Sequence, residues 1–154
     1  MRFGKIMYYS VVAAMASGLA AAPLTSSAAQ AKKTAQAVKA AKQKLVIQVS
    51  DADPKKWALA LNNAANVQED VGKDKVDIEL VAYGPGLAML KLDSEVGERV
   101  QSALGDGVKV VACENTMHKQ KLTQADMLPN LGYVKAGVVE LMAKQAEGYS
   151  YIRP

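Results

Sequence analysis

The chain has 154 residues, half of them hydrophobic, which suits a single domain, and its formal net charge is +4. One cysteine excludes an internal disulfide, and one cysteine with one histidine excludes a structural zinc site within one chain. The positive charge is unevenly placed: residues 44–154 carry 13 Lys and Arg against all 15 Asp and Glu, a net of −2, which argues against nucleic-acid binding by the folded part.

In chain order, Arg2 and Lys5 precede an apolar run from Ile6 to about Ala22, and Ala29-Gln30-Ala31 offers a small-residue cleavage site. Residues 1–31 read as a secretory signal peptide, which predicts a periplasmic or secreted protein. The run is rich in Ala, Ser and Gly and so only weakly hydrophobic for a spanning helix, and no stable membrane span is expected after cleavage. Residues 32–43 form a basic linker without an acidic residue, with helix-favouring Ala, Lys and Gln. A basic arm for a polyanion is the sharper alternative, but lysines without aromatics signal it weakly.

The domain is expected over 44–154. Leu45–Val49 reads as the first strand. Asp53 then caps a helix that starts at Pro54 and runs to about Asp70, with Trp57, Ala60, Leu61, Ala64, Val67 and Val71 on its apolar face and Gly72 at its end. Val76–Tyr83 is a second strand, broken by Gly84-Pro85-Gly86, and Leu87–Leu92 a short helix or turn. Ser94 is expected to cap a helix carrying Val96, Val100 and Leu104. Val108–Ala112 is a third strand with almost no alternation, so it is expected to be buried on both faces. A short helix from Asn115, a Thr123/Asp126 capping box, a short strand at Tyr133–Lys135, and a helix with Val138, Val139, Met142 and Ala146 as its apolar face follow. Gly148 ends that helix, and the chain closes in an edge strand. Strands alternating with helices predict a doubly wound α/β fold: a mainly parallel sheet of four to five strands with helices on both faces.

Ligands of such sheets bind beyond the carboxyl ends of the strands. Ser50-Asp51, Tyr83–Gly86 and Cys113-Glu114-Asn115 are expected to converge there. Cys113 stands where a strand gives way to a helix, whose free N–H groups favour thiolate. A small buried hydrophobe is the equally open alternative. His118 follows five residues later and could face the same side; as a lone histidine it reads more simply as a surface residue. Gly84-Pro85-Gly86 lacks the spacing of a nucleotide-binding loop, and a tight turn is preferred to an anion nest. Met89, Met117, Met127 and Met142 follow apolar faces and read as core rather than soft-metal ligands. No catalytic triad, carboxylate pair or metal motif occurs, and no cofactor is implied.

The stretches "VAYGPGLAMLKLD", "VVACENTM" and "YVKAGVVELMAKQAEGYSYIRP" resemble the DsrE/DsrF-like family, whose fold is also termed YchN-like, in its exported single-domain branch. The resemblance implies a compact α/β sandwich, assembly as a trimer or hexamer, and sulfur relay in which a cysteine at the end of a central strand carries sulfane sulfur as a persulfide. Cys113 matches that cysteine. Asn115 and Thr116 would hydrogen-bond its sulfur, Gly84, Pro85 and Gly86 would form the opposite wall, and His118 would border the pocket. Asn115 and Thr116 belong to the exported version of the motif. A leader separates this chain from cytoplasmic relay partners, so a periplasmic sulfur donor or acceptor is the partner to expect, and the activity would be that of a sulfurtransferase-like carrier. The competing reading is a non-catalytic oligomeric module that binds a small ligand or protein and keeps a buried structural cysteine; a soft-metal site shared by Cys113 and His118 between subunits is a third.

Overall fold

A computed structural model of the chain describes residues 42–154. The expected leader and the linker up to residue 41 lie outside these residues. The linker's last residue, Gln43, already belongs to strand β1 (Gln43–Val49). Among the described residues no helix is long and apolar enough to cross a membrane.

All but the first two residues of β1 are buried. Helix α1 (Pro54–Val71) starts as expected: Asp53 accepts the Lys55 N–H at 2.9 Å, and Pro54 takes the first turn. Gly72, at φ +100°, ends it. α1 buries Trp57, Ala60, Leu61 and Ala64, and also Gln68. Gln68 tolerates burial because its amide donates to the Asp106 carbonyl at 2.8 Å, a partner invisible to periodicity. After β2 (Val76–Ala82) comes a 3-10 turn, Gly84–Leu90. Helix α2 (Gly97–Gly105) begins three residues beyond Ser94. Ser94 instead closes a turn, its carbonyl accepting the Gly97 N–H at 3.0 Å. β3 (Lys109–Cys113), α3 (Glu114–Gln120), the Thr123/Asp126 capping box, β4 (Gly132–Val134), α4 (Gly137–Ala146) and β5 (Ser150–Ile152) complete the order.

The strands form one five-stranded sheet, ordered β4-β3-β2-β1-β5 and parallel throughout. One face carries the main core: Ile47, Leu80, Val110 and Ala112 pack against Trp57, Leu61, Leu87, Val100 and Met117. The other face is thin. Val46, Val81 and Val111 meet Leu141 of α4, with Tyr83, Val134 and Tyr149 at the margin. The architecture is therefore α/β with helices on both faces, as expected, but unequally shared.

Two expectations about α4 fail. The face of Val138, Val139 and Met142 points away from the sheet, leaving these residues 51%, 59% and 69% exposed. Met142 is thus not a core methionine, unlike Met89, Met117 and Met127. The helix buries Gly137 and Leu141 instead. The reason lies beneath it: β2 presents Glu79 on this face, and α4 turns Lys144 towards it, at 3.6 Å. A buried carboxylate needs a partner, and this orients the helix against its own hydrophobic majority.

Candidate functional site

Cys113 is both the last residue of β3 and the residue before the first turn of α3, with an extended backbone (φ −80°, ψ 111°). Strand alternation puts its side chain on the thin face with Val111, and it is 4% exposed. The Gly137 N–H, at the first turn of α4, donates to its sulfur at 3.3 Å. The Lys135 carbonyl lies 4.0 Å from the same sulfur, placed to accept from the thiol when it is protonated. The Asn115 N–H donates to that same carbonyl at 3.1 Å, so the β3–α3 turn is stitched to the β4–α4 turn.

Thr116 carries the second tie. Its hydroxyl accepts the Gly84 N–H at 3.0 Å, which leaves its own proton for the sulfur. One turn later, Gln120 donates to the Gly84 carbonyl at 3.2 Å. Both backbone groups of Gly84, a residue at φ +54°, are thereby held by one side of α3. Burial pushes the Cys113 thiol up. The Thr116 hydroxyl and the backbone N–H groups of Gly137, Thr116 and Asn115 pull it down, and they prevail: the thiol sits below the ordinary range.

The sheet topology explains why donors converge at this point. α3 packs on the main face through Met117, whereas α4, which follows the neighbouring strand, packs on the opposite face through Leu141. Where the helices after two adjacent strands leave on opposite faces, a crevice opens at the strands' carboxyl ends. Cys113 ends the strand that lies between β2 and β4, with its side chain buried.

Cys113, Thr116, Gly84 and the backbone of Asn115 come together as the sequence suggested. The other expected residues are less involved. The Asn115 side chain and Pro85 are exposed. Gly86 is buried against β1, where an added Cβ would fall 2.4 Å from the Val49 carbonyl oxygen. His118 is exposed in the last turn of α3, on a different part of that helix from the sulfur's partners. Asp51 turns to Arg153 and Lys56 at the β1–β5 side, two strands from the cysteine. Lys135 and Gly137 were not foreseen. The one signal for them was a glycine at the start of the last helix, a position that permits close approach of another chain segment. Among the described residues no group of three or more His, Cys, Asp and Glu gathers as a metal site would require.

A second ionisable cluster lies lower on the thin face. Glu79 is 3% exposed, and its Oε1 has no hydrogen-bond partner among the described residues. Burial pushes its carboxyl up to about 6; a hydrogen bond with Glu140 adds to this and the Lys144 ammonium opposes it. Lys144 also reaches Glu140 at 3.5 Å and Glu147 at 3.3 Å, and lies over the Tyr149 ring. This cluster seats α4 on the sheet.

The model of the DsrE/DsrF-like family matches residues 21–154. No curated protein matches the chain significantly. Among solved structures, a protein of unknown function from Methanobacterium thermoautotrophicum, MTH1491, is 33% identical, with a TM-score of 0.70 over 73% of this chain and 100% of that one. BT1422 from Bacteroides thetaiotaomicron, also of unknown function, is 16% identical with a TM-score of 0.58, over 73% of this chain and 95% of that one. The YchN protein of E. coli is 10% identical with a TM-score of 0.57, over 73% and 99%. The last two share the fold alone. Sequence and fold agree: the chain belongs to the DsrE/DsrF-like family, whose membership points to sulfur metabolism, and its one cysteine is buried at a strand-to-helix junction of the family's parallel sheet.

Proposed function

We propose that the protein is a periplasmic sulfur carrier that holds sulfane sulfur as a persulfide on Cys113. The observation that carries this reading is the acidified sulfur between the Gly137 N–H and Thr116. Donors fixed around a sulfur stabilise an anion before any substrate arrives, and a persulfide is likewise an anion at neutral pH. In loading, the Cys113 thiolate attacks the outer sulfur of thiosulfate or a polysulfide. The new S–S bond forms as the donor's S–S bond breaks, and sulfite or the shortened polysulfide leaves with the electron pair. Unloading repeats the exchange, with the thiolate of an acceptor protein attacking the outer sulfur and Cys113 leaving as thiolate.

The periplasmic assignment rests on the leader pattern of residues 1–31. Assembly with further copies is supported by the outward apolar face of α4, Val138, Val139 and Met142, adjoining the thin side of the sheet. The burial of Cys113 favours a second reading, a binding module with an inert cysteine. Incubation of the mature protein with thiosulfate or polysulfide, followed by intact mass, separates the two. The carrier gains one sulfur atom that Cys113→Ser does not. Equal masses before and after, in both proteins, favour the module.

A further inference from the structure

Tyr83 touches one donor to the sulfur, Gly137, and precedes Gly84, which is bonded to a second, the Thr116 hydroxyl. Its half-buried ring lies against Gly137: a Cβ added to Gly137 would meet Tyr83 Cβ at 3.0 Å, Cδ1 at 3.1 Å and Cγ at 3.2 Å. An alanine there would force ring or helix start to give by a few tenths of an ångström, so the two are seated closely on one another. Gly137 in turn donates its N–H to Cys113 at 3.3 Å. On the backbone side, Tyr83 leads into Gly84, whose N–H fixes the Thr116 hydroxyl at 3.0 Å. Tyr83 is itself anchored at both ends: its N–H donates to the Val49 carbonyl at 3.1 Å, and its carbonyl accepts the Gly86 N–H at 3.1 Å. Ala82 pairs with Ala112 across β2 and β3, so Tyr83 and Cys113 occupy the next position in register, on the same thin face.

We propose that Tyr83 is the positioning residue of the site: its ring sets the start of α4 so that the Gly137 N–H reaches the Cys113 sulfur, while its chain link to Gly84 orients Thr116. The proposal rests on the reading of Cys113 as the working thiolate. It assigns the role to the ring rather than the hydroxyl, because Cβ, Cδ1 and Cγ are the Tyr83 atoms nearest Gly137. A hydrogen bond to an anion lost at the sulfur raises the thiol midpoint by roughly one pH unit, or tenfold less thiolate below it.

The test is the midpoint of Cys113 alkylation against pH, in the native full chain, for wild type, Tyr83→Ala, Tyr83→Phe and Gly137→Ala, with circular dichroism as the check on folding. Tyr83→Ala and Gly137→Ala are expected to raise the midpoint by about one pH unit, and Tyr83→Phe to retain the wild-type midpoint. An unmoved midpoint in folded Tyr83→Ala overturns the proposal. Should Tyr83→Ala not fold, Gly137→Ala decides: its added methyl presses ring and helix start apart by a few tenths of an ångström, and an unmoved midpoint there overturns the proposal equally. The readout needs no sulfur donor. A chain that shows these shifts but takes up no sulfur therefore refutes the carrier reading while leaving the positioning role standing.

Discussion

The Gly137 N–H points at Cys113 Sγ from 3.3 Å, across 24 residues of sequence. Two strand-to-helix junctions, β3–α3 and β4–α4, thus share one sulfur. The thiol is acidified by short-range donors rather than by a cationic side chain, and its chemistry should respond to single hydrogen-bond changes.

Thr116→Val is the simplest such change. It deletes the hydroxyl that faces the sulfur and leaves the Gly84 N–H without its acceptor. The expected result is a higher thiol midpoint, together with a stability loss of about 1–3 kcal/mol from the unpaired donor. Thr116→Ser keeps the hydroxyl and should restore the midpoint. Thiol titration paired with urea denaturation reads both effects.

Gly86→Ala should be far more damaging than its exposed neighbour Pro85→Ala. The new Cβ would fall 2.4 Å from the Val49 carbonyl oxygen and 2.9 Å from Ser50 Cα, both backbone atoms that cannot swing aside. A loss of about 3 kcal/mol or more is expected, because β1 or the Gly84–Leu90 turn must shift. Thermal melting that leaves Gly86→Ala near wild type would show that the turn is looser than its packing implies.

Glu79 makes stability depend on pH. Its carboxyl rises from an ordinary 4.5 to about 6 in the folded state. Below the ordinary value it is protonated in both states and costs nothing. As pH climbs from 4.5 to 6 the folded chain retains a proton that the unfolded chain has released, so stability falls. Above 6 the loss is complete, at about 2 kcal/mol. Glu79→Gln removes the ionisation, while Lys144 keeps Glu140 and Glu147. The variant should be more stable than wild type at pH 7.5, with the difference gone near pH 4. Denaturation at the two pH values checks this, and a variant that is weaker at pH 7.5 would make the Glu79–Lys144 pair a net stabiliser.

The outward face of α4 should govern assembly. Val139→Glu and Met142→Glu alter residues 59% and 69% exposed, so the monomer fold should survive them. Sedimentation is expected to show smaller species than wild type, at unchanged helix content. Unchanged sedimentation would move the interface elsewhere.

The strand and helix order was legible in the sequence because caps and breakers stand where the elements end: Asp53-Pro54, Gly72, Gly84-Pro85-Gly86 and Gly148. Cys113 was legible as a strand-end residue because an apolar run stops there. Half of its surroundings was not. The short strand at Tyr133–Lys135 was legible, but its place in the sheet was not, and only the pairing of β3 with β4 brings Lys135 and Gly137 to the sulfur. The orientation of α4 was misread for a related reason. Val138, Val139 and Met142 outnumber Leu141 in the pattern, but Glu79, on a different strand, decides which side turns inward. His118 sat close in sequence to Cys113, yet its place in the last turn of a short helix leaves it exposed.

The central claim is that Cys113 is an acidified, reactive thiol, and its rate of alkylation against pH in the native protein tests it most directly. A midpoint below the ordinary thiol value of about 8.5, returning to that value in denaturant, is the expected result. A thiol that stays silent at every pH until the protein is unfolded would contradict the account and make Cys113 a core residue.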